Sequence, residues 1–151
     1  MDPQKPSPEE MRRLRVEAWL RDAIGDLASA RSLSVHRDEG TAPFASAFHA
    51  QQAVEKGVKA FLMWLEIDFP HRHDLGLLLD LTPAGSSIRA LNVRGLTVYA
   101  VDQRYVPPSM NPMDLSERPM WDEADEAADD AGAALSRLAA DLAAAGWKAS
   151  A

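Results

Sequence analysis

Phe44-Ala45-Ser46-Ala47-Phe48-His49-Ala50-Gln51-Gln52-Ala53-Val54-Glu55-Lys56-Gly57-Val58-Lys59-Ala60-Phe61-Leu62-Met63-Trp64-Leu65 decides the fold. At about 100° per residue, Phe44, Ala47, Phe48, Val54, Val58, Phe61, Leu62 and Leu65 share one arc, so the stretch reads as a helix, running from about Ala42 to Ile67. Gln51 falls at the centre of that arc, Glu55 inside it and Lys59 at its edge, each four residues from the next and therefore neighbours on the helix surface. A buried carboxylate without a partner costs several kcal/mol, so Glu55 requires a lysine, arginine or amide. Ala53, Gly57 and Ala60 are small and lie on the opposite side, which suits close approach by another helix. The line Gln51, Glu55, Lys59 then reads in two ways, as a buried structural network or as a polar pocket or interface cluster.

The same periodicity continues outward. Ser7-Pro8-Glu9-Glu10 combines a capping serine, proline at the first helical position and glutamate three residues on, predicting a helix with Val16, Leu20, Ala23, Leu27 and Ala30 on one side. A short third helix is expected near His73-Asp74. A fourth follows Ser86-Ser87, with Ile88, Leu91, Gly95, Val98 and Tyr99 on one side. The last follows Pro119 and carries Trp121, Ala124, Ala128, Ala131, Leu135, Leu138 and Leu142. All ten prolines fall between these stretches, where the missing donor and the ring clash end helices. No segment alternates with period two, and no Asn-Gly or Asp-Gly hairpin signal occurs. The sequence predicts an all-α, up-and-down bundle of four to five helices, with residues 1–7 as a disordered leader, 8–145 as the helical domain and 146–151 as a tail.

Composition narrows the chemistry. In 151 residues a net charge of -7 argues against a general phosphate-coating DNA binder. The absence of cysteine removes disulfides, thiolate zinc sites and cysteine nucleophiles. The longest apolar run, Phe61 to Leu65, is far short of the ~20 residues a membrane span needs. With no signal-peptide core among the first ten residues, a cytoplasmic protein without membrane association is expected.

Phe48-His49-Ala50-Gln51-Gln52-Ala53-Val54-Glu55-Lys56-Gly57-Val58-Lys59-Ala60 resembles the second-helix signature of HEPN-domain proteins, F-x-A-Q-Q-A-x-E-K-x-x-K-A. His73-Asp74-Leu75 is similar to that family's H-D-L at the start of the third helix. Arg104-Tyr105-Val106-Pro107 is similar to its R-Y-P element, with Val106 inserted. The resemblance runs from about Trp19 to Leu142. It implies a four-to-five-helix bundle that commonly forms homodimers and is often encoded beside a minimal nucleotidyltransferase as a toxin–antitoxin pair. It also implies a nucleotide-binding role; the polar line Gln51, Glu55, Lys59, with His73, Asp74, Arg104 and Tyr105, is then read as the nucleotide- or RNA-binding pocket, and no cofactor is expected.

Active members of the family are metal-independent ribonucleases in which an arginine is followed, after four to six intervening residues, by a histidine. From Arg104 that histidine would be residue 109, 110 or 111; these are Ser109, Met110 and Asn111, so the motif is broken. Metal-independent RNA cleavage needs an acid, a base and a cation for the phosphorane charge. Arg104 supplies the cation in a catalytic reading, with His73 as a displaced acid/base, and His49 and His71 as further candidates. Arg31 and His36 have the family spacing but stand at the end of the first helix, the wrong place for it.

Other clusters have plainer explanations. His71-Arg72-His73-Asp74 reads first as a helix cap and then as a phosphate contact, and it lacks a third metal ligand at helical spacing. Asp122, Glu123, Asp125, Glu126, Asp129 and Asp130 read as a solvated face. Lys5, Arg12, Arg13 and Arg15 form a modest basic patch. Trp19, Trp64 and Trp147 read either as exposed residues or as interface anchors.

Overall fold

A computed structural model of the chain describes residues 3–100 and 119–149. Helix α1 spans Pro8–Val35. Its start is the capping box read from the sequence: the Ser7 amide donates to Glu10 Oε2 (2.8 Å) and the Glu10 amide to Ser7 Oγ (3.2 Å). After a 3₁₀ turn at Arg37–Glu39, Gly40 turns the chain at φ +89°. Helix α2 spans Pro43–Trp64. Helix α3 spans Leu75–Leu81, with Asp74 Oδ1 accepting from the Leu77 amide at 3.3 Å. Helix α4 spans Trp121–Ala144.

The long helices pack by their apolar stripes. Val16, Ala23, Leu27 and Ala30 of α1 meet a wholly buried run of α2, and Ala124, Ala131, Leu138 and Leu142 of α4 close the core. Ser46 Oγ of α2 donates to the Ala30 carbonyl, while Arg12 near the start of α1 lies over Trp64 at the end of α2, so these two helices are antiparallel. Asp125 of α4 accepts from Ser34 of α1, and the Trp64 indole donates to the Ala145 carbonyl. Helices α2 and α4 therefore run in the same direction, both opposed to α1. The small side of α2 is used as its composition suggests: a Cβ at Gly57 would lie 2.8 Å from Leu138 Cδ1 and 2.9 Å from Leu135 Cδ2. Helix α2 is enclosed on two sides.

One element departs from expectation. The segment after Ser86-Ser87 is not an α-helix but two 3₁₀ pieces, Ser87–Ala90 and Arg94–Tyr99, separated by extended Leu91. Asn92, Val93, Gly95, Thr97 and Val98 are all weak helix formers, and so short a run cannot repay helix nucleation by itself. The 3₁₀ geometry stacks residues three apart. It turns Val93 and Leu96 into the core, with Tyr99 packed at its edge, and leaves Val98 outside. The Ser87 and Ile88 amides donate to the Asp141 carboxylate of α4 at 2.8 and 3.0 Å, which ties this crossing to the bundle. Among the described residues there is no strand, and no helix is long and apolar enough to cross a membrane.

Candidate functional site

The polar line of α2 converges on Glu55. Its side chain is 3% exposed, and its two oxygens accept from four residues. Lys59 Nζ reaches Oε1 at 2.8 Å; Gln51 Nε2 and Gln52 Nε2 reach Oε2 at 2.8 and 3.1 Å. His73 Nδ1 lies 3.0 Å from Oε1 and 3.2 Å from Oε2. Three donors come from one helix at spacings of three and four residues. The fourth comes from the α2–α3 connection, where Asp74 caps α3 and places the preceding histidine over the carboxylate.

Burial pushes the Glu55 carboxyl up, but hydrogen bonds from Lys59, Gln51 and His73, with the Lys59 charge, outweigh it and hold the group below the usual glutamate range. An ionised carboxylate only accepts, so the ring nitrogen facing it, Nδ1, carries a hydrogen. Nε2 of a half-exposed ring is then left for other contacts: an acceptor while His73 is neutral, a donor once it is protonated.

Lys59 is held as firmly as the carboxylate. Its ammonium lies 5.8 Å from the ring centroids of both Trp19 and Phe69, within cation–π range. Those rings meet edge to face, centroids 6.5 Å apart. Helix α1, helix α2 and the chain after α2 are thus joined around one buried ion pair.

Of the residues expected at a site, Gln51, Glu55, Lys59 and His73 come together. Gln51, Glu55 and Lys59 are enclosed, and His73 is the member of the four that reaches solvent. Asp74 is adjacent but serves as a helix cap. Arg104 and Tyr105 lie outside the described residues. Gln52, Trp19 and Phe69 complete the network without having been singled out for it. The spacing of Gln52 to Glu55 signals the first, whereas nothing local connects two aromatics fifty residues apart to Lys59.

The other clusters resolve locally. His36 ends α1, with Nδ1 2.8 Å from the Ser32 carbonyl, whereas Arg31 lies against Gly132 of α4, so the two face different neighbours. Asp26 of α1 accepts from His49 Nδ1 (2.8 Å) and Lys56 Nζ (2.7 Å), a second carboxylate–histidine–lysine group on the neighbouring turns of α2. On the acidic face of α4, Asp125 pairs with Ser34 and Arg37. Burial together with Glu126 and Asp129 pushes the Asp130 carboxyl up. Among the described residues no group of three or more His, Asp and Glu stands together to hold a metal.

Three long helices, α1 opposed to both α2 and α4, enclose a Q-Q-x-x-E-x-x-x-K network on the central one, which makes the chain an all-helical bundle protein. A family model of the HEPN domain matches residues 16–138, and the chain belongs to the HEPN family. No curated protein and no solved structure matched the chain.

Proposed function

We propose that this HEPN protein is a binding component, taking a nucleotide or RNA on the His73 side of the Glu55 network, in a module with a minimal nucleotidyltransferase as partner and with a homodimer as its working form. The observation that carries this reading is the placement of His73. It is half-exposed, yet both oxygens of a buried carboxylate fix its ring, which is pre-organisation that a purely internal network does not need. Arg104 and Tyr105 complete the site in this reading, the arginine by its bidentate fit to phosphate oxygens. Gln51, Glu55 and Lys59 position His73 and do not contact ligand.

Binding of a short single-stranded RNA and of ATP, followed by fluorescence anisotropy and calorimetry, tests it. Arg104→Ala and His73→Ala are expected to weaken binding together while the fold persists. Unchanged affinity in both variants refutes the reading.

A second reading, a metal-independent ribonuclease, draws on the same geometry, because a carboxylate-oriented imidazole is what a displaced acid/base requires. Cleavage of total RNA by the wild type without metal, lost in Arg104→Ala and in His73→Ala, selects it. Intact RNA with all three proteins rejects it and leaves the binding reading in place.

A further inference from the structure

We infer that a second ligand site, beside the His73 network and sharing Phe69 with it, lies between the start of α1 and the chain leaving α2, and that it takes a small organic oxyanion with a flat apolar body. A cleft of about 670 Å³ opens there, within the size range of small-molecule sites. Arg12 and Arg15, one turn apart on α1, line it together with His71, and Met63, Ile67 and Phe69 supply its apolar surface.

The cationic side has unused donors. The Arg12 guanidinium is stacked 4.6 Å from the Trp64 ring centroid and gives Nη1 to Glu66 at 2.9 Å, but its Nε is buried without an acceptor. That atom is out of reach from the cleft, so the donors offered to a ligand there are those of Arg15 and His71. Neither the Arg15 nor the His71 side chain has a hydrogen bond or ion pair among the described residues. Glu66 adopts φ +59° as the left-handed residue that closes the end of α2, where the Ile67 amide donates to the Leu62 carbonyl at 2.9 Å. Its carboxylate pairs with Arg12, whose guanidinium lies over Trp64 at the edge of the cleft.

Glu9 and Asp68 also line the cleft and carry no partner among the described residues. They exclude a polyanion and limit the ligand to one oxyanionic group, met by Arg15 and His71, with the body lying on Met63, Ile67 and Phe69. A phosphate monoester and a carboxylate share this chemistry.

The test is a titration of the full-length protein, followed by amide shifts in ¹H–¹⁵N spectra, with phenyl phosphate, benzoate and inorganic phosphate as probes. Phenyl phosphate or benzoate is expected to shift residues 8–15 and 63–71, and whichever binds more tightly identifies the oxyanion. Inorganic phosphate, without a flat body, is expected to bind more weakly. Removing a charge-assisted contact in Arg15→Ala should weaken binding by about tenfold or more. Glu9→Gln, which lifts a like charge, should tighten it. Both substitutions lie on an exposed face, so loss of the fold does not mask the result. The inference is overturned if no probe shifts these segments at millimolar concentration, or if affinity is unchanged in Arg15→Ala and in Arg15→Ala/His71→Ala. RNA binding through His73 is expected to be unaffected in Arg15→Ala, so the two sites stand or fall independently.

Discussion

Glu55→Gln isolates the ion pair on which the bundle is centred. The substitution keeps shape and one acceptor, but it leaves the Lys59 ammonium, 7% exposed, with no counter-charge and four donors competing for a single amide oxygen. Breaking a buried pair from one side costs about 3–5 kcal/mol, because the remaining charge stays desolvated. For a domain of this size each kcal/mol moves the melting midpoint by roughly 2–4 °C, so a loss of roughly 6–20 °C is expected. Urea unfolding followed by far-UV circular dichroism measures it directly. The paired variant Glu55→Gln/Lys59→Met removes both charges and keeps an unbranched chain under Trp19 and Phe69, so it should recover most of the loss. The sign with pH also follows. The folded Glu55 carboxyl titrates below its unfolded value, so its contribution is full above about pH 4.3 and is lost as pH falls through the folded value. The stability gap between wild type and Glu55→Gln should therefore narrow in acid. A loss under about 1 kcal/mol at neutral pH, or no recovery in the paired variant, would refute the account of a desolvated pair.

Other consequences are smaller. His73→Ala removes one of the donors on Glu55 and should cost about 1–2 kcal/mol in the same urea experiment, well short of Glu55→Gln. Gly57→Val drives two methyl groups into Leu135 and Leu138, and overpacking of about 1–3 kcal/mol is expected; a variant as stable as wild type would mean that α4 moves aside freely. Ser7→Ala breaks the capping box and should lower stability by about 1 kcal/mol, with the earliest amide exchange at the start of α1. Glu66→Gly relieves a left-handed residue and should be neutral or stabilising by up to about 1 kcal/mol, while freeing Arg12 from its partner.

Much of this arrangement is legible locally. The α1 capping box, the stripe of α2 and the small side of α2 are each encoded within a few residues, and the helices appear where those signals put them. The Gln51-Glu55-Lys59 line is equally visible, because helical spacing alone makes these side chains neighbours. What periodicity conceals is the return crossing. Ile88, Leu91, Gly95 and Val98 look helical by spacing, but weak intrinsic propensity and an external cap from Asp141 select two 3₁₀ turns instead. The aromatic cover over Lys59 is hidden for a different reason: Trp19 and Phe69 meet it only through tertiary packing. Sequence spacing also does not separate a pocket from a structural network. The structure shows Gln51, Glu55 and Lys59 enclosed and His73 as the member of the four at the surface.

The parallel course of α2 and α4 matters while the chain is being made. Helices α1 and α2 adjoin in sequence, so their pairing closes only a short loop and needs nothing that follows α2. The seat at Gly57 waits for Leu135 and Leu138. At about 5–20 residues per second, the ribosome needs roughly 3–13 s to pass from the end of α3 to the end of α4. Throughout that interval the nascent hairpin presents a narrow seam of Ala53, Gly57 and Ala60, shaped to accept a helix.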